Sequence, residues 1–175
     1  MPPIMQPISL LNLVYQTSIK LIEQVVGSIG NRLPVLLQSD PSESGITCLT
    51  MLARYYGKKV PLKFSRNQAL CRTAGASMSL VELISLANKI SLSCQPMRLD
   101  LAKLFRVSRP IILVLKNQHY VVLKCGANNK LTLHDPHRGF LIMSREQAEH
   151  QYSGVALAVL PGAQRVGEGT GAVPN

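Results

Sequence analysis

The chain has 175 residues, 46% of them apolar, enough to bury one core and too few for two full domains. Nineteen Lys and Arg against nine Asp and Glu give a formal charge of +10, which suits an acidic partner or an anionic surface. The basic residues are scattered and accompanied by five Tyr, three Phe and no Trp, so a base-stacking platform, and with it nucleic-acid binding, is set aside.

The opening segment places Ile8, Leu11, Val14, Ile19, Ile22 and Val26 at mostly three- and four-residue steps, the pattern of an amphipathic helix. GSIGN ends it, and residues 1–31 are expected to form an extension ahead of the main domain at 32–161. LPVLL reads as a short extended piece. Ser44 to Tyr56 reads as a helix stopped at Gly57 by a left-handed residue. PLKFSRNQALCRT is predicted to form a short helix, and SMSLVELISLANKI a clear one with Leu80, Leu83, Ile84 and Ala87 on one stripe. LSCQPMRL looks extended, and LAKLFRV is a short helix.

The second half changes character. RPIILVLKN, HYVVLKC and KLTLHD are rich in β-branched residues and separated by turn formers, so they read as successive strands, the last two joined through GANN. GFLIM is a further strand, SREQ a capping box opening a short helix, and GVALAVL a final strand. Helices first and an antiparallel sheet afterwards make an α+β domain. Residues 162–175 are Gly-rich and apolar-poor, the composition of a flexible tail.

The cysteines, Cys48, Cys71, Cys94 and Cys125, form no CxxC pair and have no His at metal-ligand spacing, which points to neither a zinc site nor a disulfide framework and suits a reducing, cytosolic setting. The N-terminus has no basic region ahead of an apolar stretch and no small-residue cleavage site, unlike a signal peptide. No apolar run reaches the roughly 18 residues of a membrane span.

Three polar residues fall at element boundaries, where side chains can converge on a cleft: Ser44 at a helix start, His119 at the head of a strand and Asp135 at the end of the next. That is the layout of a nucleophile, a base and an orienter. A helix N-terminus favours developing negative charge. An imidazole in reach can take the nucleophile's proton, and a carboxylate on the far ring nitrogen fixes the tautomer. Gln38, just upstream, could donate its amide hydrogens to an oxyanion, together with backbone N–H groups of the helix start. Each residue also has a plainer reading: Ser44 as an N-cap, His119 as a satisfied strand histidine, Asp135-Pro136 as a turn opener. His134 and His137, on either side of Asp135, look like loop residues.

QSDPSESGITCLTML resembles the active-site signature of the bacteriocin-processing cysteine peptidases, the double-glycine leader peptidase domains at the N-termini of bacteriocin and peptide ABC exporters. The resemblance continues through GASMSLVELISLANKISL, RPIILVLKNQHYVVLK, HDPHRG and SGVALAVL, and so covers roughly 33–161. It implies a papain-like fold, a helical half packed on an antiparallel sheet. It also implies that Gln38 belongs to the oxyanion hole, that His119 is the general base and acid, and that Asp135 orients His119. The family's nucleophilic Cys is replaced here by Ser44. Cys48 matches the family's second, structural cysteine, and is expected to face the core as a small hydrophobe.

The implied function is cleavage of a leader peptide after Gly-Gly before a bacteriocin-like peptide is exported, with activity lowered by several orders of magnitude because a hydroxyl must be deprotonated during attack in a cleft shaped around sulfur. Either Cys was exchanged for Ser by design, or the domain is naturally degenerate and binds the secreted substrate without cutting it. The intact Gln38, His119 and Asp135 favour the first. A self-sufficient serine peptidase using Ser44 is the remaining alternative. The implied partners are the leader peptide and the transmembrane and nucleotide-binding domains of the same exporter, with no nucleic acid and a monomeric isolated domain. No cofactor is expected here, ATP and Mg²⁺ belonging to a nucleotide-binding domain that this chain lacks. The expected location is the cytoplasmic face of the bacterial inner membrane. The family's leaders bind as amphipathic helices and are often acidic, so the basic face is expected to attract them.

Overall fold

The computed structural model describes residues 32–58, 60 and 77–162. The amphipathic extension at 1–31, the short helix expected at 61–73, Cys71 and the tail beyond 162 lie outside the described residues.

Leu33 to Gln38 form a strap with no regular structure. The extended piece expected at LPVLL thus pairs with no strand. A 3-10 turn at Pro41–Glu43 follows, opened by Asp40, whose carboxylate accepts from Ser42 N–H while Glu43 reaches back to the Ser39 and Asp40 N–H groups. It runs into α1, Ser44–Tyr55, which ends as expected at Gly57 with φ +72°. Helix α2, Leu80–Lys89, begins at a Ser79–Glu82 capping box, a signal of reciprocal hydrogen bonding between cap and third residue. Next come β1 (Leu92–Arg98), α3 (Leu101–Leu104), β2 (Ile111–Leu115), β3 (Tyr120–Ala127), β4 (Lys130–Asp135), β5 (Gly139–Ser144), α4 (Arg145–Gln151) and β6 (Tyr152–Pro161). Helix α4 opens with the expected Ser144–Gln147 box.

The strands form one antiparallel sheet in the order β1-β6-β2-β3-β4-β5. Strand β1 is an edge, which is why Pro96 is tolerated within it. The β3–β4 hairpin turns through Asn128 and Asn129, both at positive φ, as a tight right-twisted hairpin requires. Alternation along the strands sends apolar side chains to both faces. Ile112, Val122, Leu157 and Val159 pack under α1 and α2 with Leu49, Leu52 and Leu83. Leu113, Leu123, Leu133 and Ala156 pack on the other face with Leu104 of α3 and Ala148 of α4. The α+β reading therefore holds: helices cover an antiparallel sheet. Among the described residues no helix is long and apolar enough to cross a membrane.

Candidate active site

Four pieces of chain meet at one end of the sheet: the first turn of α1, the residue ahead of β3, the end of β4 and the strap. Helix α1 approaches β3 closely because its second residue is Gly45. A Cβ there would stand 3.0 Å from Leu83 Cδ1 and 3.2 Å from Tyr120 Cδ2. Tyr120 is itself held, its hydroxyl donating to Met78 O at 2.8 Å.

Ser44 does not cap the helix; the preceding turn is capped by Asp40 and Glu43. Its Oγ instead accepts from the Tyr120 N–H at 3.3 Å, and the residue is 1% exposed. The helix start is thereby joined to the residue that follows His119.

His119 sits at the end of the β2–β3 turn, where Gln118 takes φ +58° and its N–H donates to Leu115 O at 2.9 Å. His119 Nε2 lies 2.8 Å from Asp135 Oδ1. Asp135 is 4% exposed. Burial pushes its carboxyl up, but hydrogen bonds from His119, the His137 N–H and the Arg138 N–H outweigh that and leave it below its ordinary value of 3.8. At neutral pH it is an ionised acceptor, so Nε2 is the nitrogen of His119 that donates to it, which leaves Nδ1 as the ring's other nitrogen.

A cleft of about 230 Å³ opens beside this pair, lined by Gln38, His119 and Asp135 with Asn117, Arg138 and Met143 among its other walls. Gln38 is anchored by its own N–H, which donates to Pro136 O at 2.8 Å, and its side-chain Oε1 is buried with no partner among the described residues. Three of the four residues singled out in the sequence thus line one cleft. Ser44 is not among the residues that line it; its Oγ is joined to the N–H of Tyr120, next to His119.

Cys48, one turn into α1, is fully buried, and burial, with a smaller contribution from Asp135, pushes its thiol well above its ordinary value. It is a core residue, as expected, and poorly suited to attack. His134 departs from expectation. It is no loop residue but part of β4, 3% exposed, with Nδ1 3.0 Å from Pro34 O. Pairing of β4 with β5 runs through His134↔Phe140 to Asp135↔Gly139, so the strand read at KLTLHD includes His134. His137 is exposed in the following turn and serves through its backbone.

A helix start hydrogen-bonded to the residue after His119, with the His119–Asp135 pair and Gln38 sharing one cleft, matches the arrangement of papain-like thiol peptidases. The model of the Peptidase C39 family, a family of cysteine peptidases, matches residues 32–164, and the chain belongs to that family.

The chain is 32% identical over 133 residues to the colicin V secretion/processing ATP-binding protein CvaB of Escherichia coli, and 31% over 137 residues to a probable microcin-H47 secretion/processing ATP-binding protein, also of Escherichia coli. These matches cover 76% and 78% of the chain but 19% of each relative, so the chain spans about a fifth of their length. Among solved structures it is similar to a double glycine motif protease from an AMS/PCAT transporter, crystallised with its leader peptide. The two share 26% identity at a TM-score of 0.67, over 75% of this chain and 93% of that one. The peptidase domain of Streptococcus ComA, a bifunctional ABC transporter in quorum sensing, matches with TM-score 0.65 over 74% of this chain and 99% of that one; at 22% identity it speaks for the fold.

Proposed function

We propose that this chain is the leader-peptidase domain of a longer peptide exporter, built to cut a leader after Gly-Gly, and that Ser44 at the nucleophile position holds it in a disarmed state. The observation that carries the reading is the His119–Asp135 pair at 2.8 Å beside a cleft that also receives Gln38.

With a thiol at position 44, Nδ1 of His119 would take its proton, and Asp135 would stabilise the imidazolium that forms. The thiolate attacks the glycine carbonyl. Gln38 and N–H groups at the start of α1 receive the oxyanion, His119 protonates the leaving amine, and water releases the acyl-enzyme by the same steps in reverse roles. A hydroxyl at position 44 is a weaker nucleophile, and its oxygen already accepts from Tyr120 N–H. That contact also favours a second reading, a domain that recognises its cargo without cutting it.

On this reading the leader peptide and the exporter's other domains are the partners, the domain lies at the cytoplasmic face of the inner membrane, and ATP and Mg²⁺ act elsewhere in the longer protein. The charge of +10 would steer an acidic leader by attraction that salt screens.

The test is a paired assay of this chain and its Ser44→Cys variant, with a leader ending in Gly-Gly plus a short core, at low and high salt. Binding by both and cleavage by the Cys form alone supports the peptidase. Binding by both with cleavage by neither favours the recognition module. An affinity indifferent to salt removes the electrostatic part.

A further inference from the structure

If Gln38 is to meet an oxyanion, its amide must hold one place in the cleft, yet the strap that carries it has no place in the sheet. Of its side chains, Leu33 is buried and Leu36 packs partly against the core, while Val35 and Leu37 are 44% and 59% exposed. Apolar burial therefore fixes the beginning of the strap better than its end.

The end of β4 and the residue after it supply the rest. Gln38 N–H donates to Pro136 O at 2.8 Å, and four residues earlier Pro34 O meets His134 Nδ1 at 3.0 Å. A carbonyl oxygen only accepts, so His134 donates from Nδ1. The ring is buried and lies against Phe140, centroids 6.1 Å apart, which limits its rotation. Successive side chains of a strand leave opposite faces, and here the two neighbours divide the site: Asp135 reaches the base, and His134 reaches the strap that bears the oxyanion donor.

We propose, on the reading of Gln38 as that donor, that His134 is a positioning residue for the reaction: it pins the strap so that Gln38 and the His119–Asp135 pair are set by one strand end. It touches no substrate in this scheme and acts only through Gln38.

In the Ser44→Cys protein, His134→Ala lowers kcat on the order of 10- to 100-fold, the scale of a misplaced catalytic group, while KM for the leader stays nearly constant. His134→Asn, whose amide nitrogen occupies nearly the place of Nδ1, restores most of that loss. The double variant with Gln38→Ala loses no more than Gln38→Ala alone, because the two act as a unit. Additive losses, or an Asn variant as poor as Ala, overturn the proposal.

A second readout does not need cleavage. In the chain with Ser44, hydrogen exchange at the Gln38 amide accelerates in His134→Ala and slows again in His134→Asn; unchanged exchange overturns the proposal whatever the kinetics. Should Ser44→Cys fail to cleave at all, the peptidase reading falls, and exchange alone decides whether His134 holds the strap.

Discussion

Gly45 is where the nucleophile position is adjusted against the sheet, and Gly45→Ala tests that. Carbon atoms pack best at about 3.5–4.0 Å, whereas the new methyl would stand 3.0 Å from Leu83 Cδ1 and 3.2 and 3.4 Å from two ring carbons of Tyr120. Neither neighbour yields easily: Leu83 is fully buried, and Tyr120 is tethered to Met78 O. Replacing Gly by Ala inside a helix gains up to about 1 kcal/mol, and less in the first turn. Overpacking costs about 1–3 kcal/mol. The net expectation is a loss of about 1 kcal/mol, or a Tm lower by about 2–4 °C for a domain of this size. The relief comes from α1 backing away, which lengthens the Tyr120 N–H···Ser44 Oγ contact. In the Ser44→Cys protein, cleavage should then fall by about 10-fold for a shift of a fraction of an ångström. Gly57→Ala is the control. Its φ of +72° makes any side chain strained there although nothing lies within 4 Å, so it costs about 1 kcal/mol without touching the site. Thermal melts and leader cleavage measured on both variants separate the effects. The reasoning is refuted if Gly45→Ala melts at or above the parent temperature and cleaves like it, or if Gly57→Ala loses as much cleavage.

Two further outcomes follow from the buried titratable groups. Asp135 titrates below 3.8 when folded, so its stabilisation is present above that value and lost as pH falls through the folded pKa. Asp135→Asn should cost about 1.5–3 kcal/mol at pH 7, the scale of a hydrogen bond to a charged group, and the difference from the parent should shrink in urea melts below about pH 4; a difference constant from pH 7 to 3 would refute the assignment. Burial pushes Cys94 up to about 12 and Cys48 well above its ordinary 9.0, so neither should react with iodoacetamide at pH 8 before denaturation; peptide mapping of protein labelled before and after unfolding checks this, and labelling of either in the folded protein would refute it.

The elements that sequence reading located well are those with a strong local period or a cap: α1 ending at Gly57, α2 with its stripe, the hairpin through Asn128 and Asn129, and α4 behind Ser144. The strap was not legible. Leu33–Leu37 has the apolar density of a strand, and only the distant partner shows that it is held by single hydrogen bonds instead of a ladder. The insertion of β6 between β1 and β2 depends likewise on pairing across the whole domain. His134 was misjudged as a loop residue although KLTLHD was read as a strand to Asp135; the pairing His134↔Phe140 sets it inside β4. Ser44 looks like a cap from its position, and only the prior turn, already capped by Asp40, frees its hydroxyl to face Tyr120.

These placements bear on why the chain keeps the groups around Ser44. Asp135 has a structural use of its own, since it accepts from the His137 and Arg138 N–H groups and so holds the turn after β4. Its presence would be explained without any chemistry. The same is not true of the other two. The His119 ring makes its hydrogen bond to Asp135 and otherwise borders the cleft, and Gln38 leaves a buried oxygen without a partner among the described residues, which costs stability. An apolar side chain at either position would fold at least as well. Their joint placement beside the helix start is therefore better accounted for by acyl transfer than by packing, and that weighs toward a peptidase in which position 44 alone is changed.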